Sequence, residues 1–496
     1  MTFYKDLKDQ QLLLPPNIHD LIPKNHICHL VDKIIQNMDL TEIEKRFEGA
    51  GHPAYHPKII LKLLILGQVD GIRSSRIIAK NARENVVYMY LAGLLQPDFR
   101  TISDFRKNNL ELVKSSFQEV VRFAKDLGMI SLGHICIDGT KIKANASNYS
   151  AVTKDDFSKL KELIEKELEE GIKVDEEEDR IYGDKNIDEL PDNIFDKTIA
   201  EKLKERYNSG SKEQKEKIKK KVEKIEKEIE KSDCAISATD PESRFMPNNK
   251  KIFEYSYNSQ ITADSSFGII ISNDVNSEIR DVNQLQPQIK QVEENVGKIP
   301  EGMKVIADYG YSSSKNLKFM KENGLDGYIP DEKRTSALNR KVKTENPFSK
   351  ENFEYVPERD IFICPNNHEL TFRGQYYDKK LRKNIHRYRT DKCKKCPDQS
   401  KCTKNKDGRI VRDIEGMETE RREMADKMLS REGALIYQTR KKVVECIFGH
   451  LKRNLGFREF LLRGIKGAKI EFNLACIASN LRRMWNFLNG FSGIKC

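Results

Sequence analysis

Apolar positions recur at helical spacing through residues 1–130, which predicts an all-helical region. HPKIILKLLILGQVDG (56–71) is a helical run that stops near Gly71, and SSRIIAKNARENVVYMYLAG (74–93) opens on two capping serines, Ser74 and Ser75, and ends on Gly93. After the turn QPDFRT comes TISDFRKNNLELVKSSFQEVVRFAKDLG (101–128), where Thr101 or Ser103 can cap and Gly128 can terminate. The pattern changes at residue 131. HICID (134–138), 255–264 and 268–275 read as strands, the last two joined at Asp264-Ser265-Ser266 as a hairpin. A helix around 287–296, a strand in MKVIADYGY (303–311), a capped helix ending on Gly324 and a strand in LDGYIP (325–330) follow. The expected fold is α/β, a mixed five-stranded sheet flanked by helices behind an all-helical N-terminal region.

Two insertions interrupt that order. Residues 150–245 are rich in lysine and glutamate, and Ile218, Val222, Ile225 and Ile229 alternate spacings of four and three, the seam of a short coiled coil. Phe157, Leu160, Ile164 and Leu168 could supply the partner helix of a hairpin without chemistry. A second insertion, about 335–425, holds IFICPNNHEL and DKCKKCPDQSKC. Beyond it, 433–457 reads as one basic amphipathic helix, and 469–488 as a closing helix with the single tryptophan, Trp485.

A length of 496 residues implies two to four structural units. The longest apolar run, IILKLLILG, is broken by Lys62 and too short to span a bilayer, and MTFYKDLKDQQLLLPP lacks a secretory pattern. These features predict a soluble, cytoplasmic protein without a membrane partner. The net charge of +11 favours a polyanionic partner but does not say where it lies, because the basic residues are spread along the chain. Arg73, Arg76 and Arg106 stand near the turns of the N-terminal helices, as they would in a helix-turn-helix-like DNA binder or on the solvated face of an ordinary bundle. Cys28, Cys136, Cys234, Cys446, Cys476 and Cys496 are scattered and read as reduced thiols, whereas Cys364, Cys393, Cys396 and Cys402 cluster.

The chemistry concentrates at carboxylates. Asp138 and Asp308 each end an apolar strand and run into a glycine-containing turn. If the strands are neighbours, both carboxylates emerge at one edge of the sheet, where a cation must offset their repulsion. Mg²⁺ suits such a site because it is hard and takes oxygen ligands. Glu445, on the basic helix with Lys441 one turn before and Lys452 two turns after, is the candidate third acid. The alternatives are a turn-forming aspartate and a solvated glutamate.

IDGTKIKANAS, YNSQITAD, IADYGYSSSKNL and YQTRKKVVECIFGHLKRNLGFREFLLRG, with the N-terminal HPKIILKLLILGQVDGIRSSRIIAKNARENV and PDFRTISDFRKNN, resemble a bacterial insertion-sequence DDE transposase with an RNase H-like catalytic core. The resemblance implies catalytic, Mg²⁺- or Mn²⁺-holding roles for Asp138, Asp308 and Glu445. It also implies DNA contacts from Lys141, Lys143, Tyr437, Arg440 and Lys452, and DNA binding by the N-terminal helices with Arg73, Arg76 and Arg106. The spacing departs from the family's in one respect: Arg440 precedes Glu445 by five residues rather than four, which puts it on a different side of an α-helix.

The implied organisation is a helical DNA-binding domain (1–130), a catalytic core (131–149, 246–335 and 426–490), a charged helical insertion (150–245) and a cysteine-rich insertion (336–425). Cleavage and strand transfer would proceed through two metal ions on double-stranded DNA, at the element's terminal inverted repeats and a target, by a homodimer or larger assembly in the nucleoid. Cys364, Cys393, Cys396 and Cys402, with His368 as a substitute for one thiolate, have the spacing of a structural Zn²⁺ site. Two other readings stay open: a non-enzymatic DNA-binding regulator, and a domesticated RNase H-like nuclease without strand transfer.

Overall fold

The N-terminal helices follow their local signals closely. In this computed structural model, which describes residues 17–41, 55–146, 151–154, 212–231, 235–248, 252–331, 347–379 and 383–490, they are α1 (Ile27–Gln36), α2 (Pro57–Val69), α3 (Ser75–Glu84), α4 (Val86–Leu91), α5 (Phe99–Asn108) and α6 (Leu110–Asp126). Helix α2 is buried almost all round, and the lysine that breaks its apolar run, Lys62, is paired with Asp32 at 2.6 Å. Gly71, Gly93 and Gly128 take left-handed φ of 75°, 59° and 72° at the expected helix ends.

Two boundaries differ from the expectation. Residues 74–93 are two helices, because Asn85 is extended and its side chain caps the second by accepting from the Val87 amide at 2.9 Å. The cap of α5 is Asp98, whose Oδ1 accepts from the amides of Arg100 and Thr101 at 2.7 and 3.1 Å, rather than Thr101 or Ser103. An aspartate placed before the first turn reaches two free amides at once, and its charge suits the helix N-terminus.

The central sheet is built from β1 (His134–Lys143), β2 (Arg244–Pro247), β3 (Phe253–Asp264), β4 (Ile270–Asn276), β5 (Lys304–Ala307) and β6 (Asp326–Tyr328). Strand β1 is antiparallel to β3 and parallel to β5, which is parallel to β6; β4 pairs antiparallel with β3. The sheet has six strands rather than five. Strand β3 is long, β4 covers only its second half from Asn258 onward, and β2 pairs with Phe253–Ser256 to occupy backbone groups that would otherwise form an open edge. Helices α7 (Leu285–Val296) and α8 (Ser314–Glu322) join successive strands.

The closing helix α9 (Gly464–Leu488) starts earlier than its apolar pattern suggested and is buried along most of Gly467–Met484. It packs on α2, α6 and β4, so one continuous apolar core runs from the N-terminal helices into the sheet. Asn480 exchanges two 2.8 Å hydrogen bonds with the Ile270 backbone, so its side chain completes the start of β4.

The second insertion folds as an antiparallel sheet of β7 (Glu354–Val356), β8 (Ile361–Ile363), β9 (Glu369–Asp378), β10 (Lys383–Arg389) and β11 (Val411–Ile414). It has its own core, an apolar cluster of Phe353, Phe362, Leu370, Tyr388 and Val411. In the first insertion, Lys212–Glu230 is helical, with Ile225 and Ile229 buried and Val222 half-buried. The side chain of Ile218 and the expected partner residues Phe157, Leu160, Ile164 and Leu168 lie outside the described residues. Cys446 is disulfide-bonded rather than a reduced thiol. No described helix is long and apolar enough to cross a membrane.

Candidate active site

The parallel pairing of β1 with β5 sets Ile137 opposite Ala307, so the residues that follow, Asp138 and Asp308, stand side by side. Each is anchored by a backbone amide: Asp138 Oδ1 accepts from Gly139 at 2.9 Å, and Asp308 Oδ1 accepts from Gly310 at 2.8 Å as it caps the short turn Tyr309–Tyr311. Arg440 bridges them, with Nη2 at 3.0 Å from Asp138 Oδ2 and 3.7 Å from Asp308 Oδ2. Burial pushes the Asp138 carboxyl up to about 6; Arg440 opposes the rise and the neighbouring Asp308 adds to it. Asp308 is likewise raised by burial and held down by Arg440. Burial works against the charge of Arg440, but Asp138, Tyr437 and Asp308 outweigh it.

A polar network lies beside this pair. Asp281, from the loop between β4 and α7, accepts on Oδ1 from Lys141 Nζ at 3.1 Å, Asn258 Nδ2 at 2.6 Å and Gln260 Nε2 at 2.7 Å. Tyr311 donates to Gln260 Oε1. This packing explains the glycine after the first aspartate: a Cβ on Gly139 would come within 2.2 Å of Gln260 Nε2 and 3.0 Å of Asp281 Oδ1. Asp281 was not singled out from the sequence, since it ends no strand and belongs to no spacing pattern; Asn258 and Gln260, polar residues on an otherwise strand-like run, were the available signal.

The basic segment 433–457 is not one regular α-helix. An α-helix (Arg431–Arg440) passes into a π-helix (Lys441–Glu445), a single α-turn (Cys446–Gly449) and a second π-helix (His450–Asn454). Arg440 sits directly on both aspartates, so its place in the site is direct, while Glu445 falls on another side of the helix, as the five-residue spacing implied. Glu445 is exposed and makes no hydrogen bond or ion pair among the described residues. Tyr437 stands between the two regions; burial raises its phenol, and the charges of Asp308, Asp138 and Glu445 add to the rise. Lys452 donates to Thr140 Oγ1 at 2.6 Å, two residues beyond Asp138. Lys141 is tied to Asp281, and Lys143 lies half-exposed, 3.1 Å from Glu459.

The three N-terminal arginines separate. Arg73 is half-buried, 2.7 Å from Glu471 and over the Phe457 ring, and Arg106 is buried with Nη1 on the Arg73 carbonyl at 2.8 Å. Arg73 thus ties the N-terminal helices to the C-terminal segment, and Arg106 holds the Arg73 backbone in place. Arg76 is exposed, stacked over Phe99. Cys364, Cys393, Cys396 and Cys402 line one small cavity with His368, and the Cys402 thiol is raised chiefly by burial, with contributions from the other three cysteines. Among the described residues, no group of three or more His, Cys, Asp or Glu side chains is arranged to hold a metal ion.

Comparison with known proteins bears on this arrangement. A family model described as "Transposase DDE domain" matches residues 363–485, a span that includes the cysteines, Arg440, Glu445 and Lys452. A second, "Transposase domain (DUF772)", matches residues 16–108. No curated protein matches the chain. Among solved structures, a cryo-EM structure of a piggyBac transposase synaptic complex with hairpin DNA is similar over 96% of this chain and 78% of that one, at 11% identity; its TM-score of 0.31 is too low to carry an argument. One transposase model thus matches the N-terminal helices, and another matches the segment that delivers Arg440 to the paired aspartates.

Proposed function

We propose that this chain is a DDE transposase that cleaves DNA and transfers its strands by metal-dependent phosphoryl transfer at Asp138 and Asp308, with Glu445 as the third acid. The observation that carries the reading is the Arg440 bridge: two adjacent carboxylates, one buried and one half-buried, that share one cation. The sheet supports an RNase H-like core, with three antiparallel strands, β4, β3 and β1, continued by two parallel ones, β5 and β6.

The aspartate pair suits Mg²⁺ or Mn²⁺ by its chemistry, being all oxygen and partly buried, while Glu445 lies apart from the pair in this structure. Asp138 and Asp308 would hold the ions, and Glu445 would complete the set from the neighbouring helix. Bound there, two ions would activate water or a DNA 3′-hydroxyl and stabilise the leaving oxygen. The residues of the chain position and neutralise. Arg440 keeps the carboxylates balanced until DNA arrives, Lys452 and Tyr437 border the pair, and Lys141 and Lys143 run along β1 toward the phosphate backbone. Because no protein nucleophile is needed, charge and alignment are the whole task.

The same reading assigns residues 1–130 to DNA binding, with Arg76 as a solvent-facing contact. It assigns 131–149, 246–335 and 426–490 to the catalytic core, and 150–245 and 336–425 to insertions. The partners are double-stranded DNA at the element's ends and target, and further copies of the chain. A structural zinc ion would be held by Cys364, Cys393, Cys396 and Cys402, with no open position for chemistry.

The test is excision in cells of a marker flanked by the gene's own bordering DNA, comparing wild type with Asp138→Asn, Asp308→Asn and Glu445→Gln. Excision by wild type alone is expected, and Asp308→Asn should still bind DNA. Excision that survives all three changes would put the active site elsewhere.

A further inference from the structure

On the opposite side of the helix that delivers Arg440 lies a cavity of about 740 Å³, enclosed by the 441–454 segment and α9. Four cations line it, Lys441, Arg453, Arg482 and Arg483, against one carboxylate among the described lining residues, Glu445. None of the four makes an ion pair within the described residues. Arg483 donates to the Phe267 carbonyl at 3.0 Å, and Arg482 to the Val69 carbonyl; both guanidiniums are anchored by neutral groups, and of the two only Arg482 has a carboxylate, Asp70, acting on it from outside the cavity lining. Arg483 is drawn down to about 10 by burial, which has no counter-charge to offset it.

Two further groups in the cavity lack partners. His450 Nε2 and Ser479 Oγ are buried without a hydrogen bond. Buried polar atoms are normally satisfied, and an unsatisfied one costs about 1–3 kcal/mol. Burial and the charges of Arg482 and Arg483 push His450 down to about 4, so its ring is neutral and can donate from Nε2. Two unpaired hydrogen-bonding groups facing a net excess of three positive charges describe a receptor for an oxyanion: charge to attract it, and neutral donors to orient it.

We propose that this cavity is a phosphate-binding site that holds a backbone phosphate of the DNA on the face of the helix opposite the aspartate pair. The proposal rests on the reading of the chain as acting on DNA, and commits to a DNA phosphodiester over free phosphate. Lys441 and Arg453, both exposed, form its mouth; Arg482, Arg483, His450 and Ser479 form its floor. DNA held there would pass around the helix, with one phosphate in this cavity and another beside Asp138 and Asp308.

The experiment uses the full chain without divalent metal. DNA affinity of wild type and of the double variant Lys441→Gln, Arg453→Gln is measured by fluorescence anisotropy from about 50 to 200 mM salt. Inorganic pyrophosphate is titrated separately by calorimetry. Both substituted side chains are exposed, so the variant should fold, and circular dichroism checks that it does. The expected result is a salt slope shallower by about 1 in the variant, with saturable pyrophosphate binding in wild type that the variant loses. Ser479→Ala, which removes a floor donor without removing charge, should weaken pyrophosphate binding while leaving the salt slope in place. An unchanged slope overturns the proposal, and pyrophosphate binding alongside an unchanged slope would reassign the cavity to a free anion. A wild type that binds no DNA at any salt would instead sink the functional reading itself, an outcome separable from the pyrophosphate result.

Discussion

Replacing Arg440 with Gln isolates the interaction on which the site is built. The guanidinium lies 3.0 Å from one carboxylate and 3.7 Å from the other, and all three side chains are largely shielded, at 13%, 11% and 26% exposure. At an effective dielectric of about 20, contacts of this length correspond to roughly 5 kcal/mol of attraction each, most of which offsets desolvation. The net cost of removing one partner from a buried pair is about 3–5 kcal/mol, because the remaining charge is left uncompensated. Partial exposure of Asp308 argues for the lower end, so a loss of about 3 kcal/mol is expected near pH 7.5 without metal. The loss should shrink toward pH 5. Without Arg440 the Asp138 carboxyl rises further above about 6, takes up a proton, and no longer needs a cation. Urea unfolding followed by fluorescence of Trp485 reports the transition, since this sole tryptophan lies on α9 and donates to the Asn25 carbonyl at 2.6 Å. Adding Mg²⁺ at about 100 times its dissociation constant should return about 2.7 kcal/mol to the variant. Wild type should gain less, because the ion has to displace the guanidinium. A variant within about 0.5 kcal/mol of wild type, or an equal Mg²⁺ response in both, would refute the idea that Arg440 holds the place of the metal.

Three further outcomes are expected. Asp138, raised from 3.8 to about 6, favours folding fully below its unfolded value and loses that contribution as pH rises through about 6, whereas metal binding needs the ionised form. Strand cleavage by the intact enzyme should therefore climb with pH through about 6 and then level off; a profile flat from pH 5 to 8 would contradict this. Gly139→Ala should cost about 1–3 kcal/mol and depress cleavage, as its Cβ would displace Gln260 from Asp281; unchanged stability would mean that the loop yields freely. Elemental analysis of protein made in zinc-supplied medium should find one zinc per chain, lost on Cys393→Ser, and a metal-free wild type would remove zinc from the account.

The aspartates were legible in the sequence because their signal is local: an apolar strand, an acid and a turn glycine. Their adjacency then follows from parallel pairing of β1 with β5, which sets Ile137 against Ala307. The same locality explains the N-terminal helices, whose caps and terminal glycines act within a few residues. What could not be read depends on distant partners. Arg73 reads as a surface cation until Glu471, 398 residues on, folds against it. Asp281 gains its place only when Lys141, Asn258 and Gln260 arrive from two different strands. The core of the second insertion was missed because Phe353, Phe362, Leu370, Tyr388 and Val411 are spread across short strands with no sustained period.

The basic helix was misread for another reason, and it is the one that bears on function. A regular α-helix turns about 100° per residue, so the choice of an α or π turn decides which way everything beyond it faces. Here the π segment begins immediately after Arg440 and ends on Glu445. The guanidinium is thereby delivered to the aspartates, while the carboxylate stays exposed on the rim of the cationic cavity. A cation and an acid that would serve the same pair of aspartates are thus joined by the irregular stretch of helix between them.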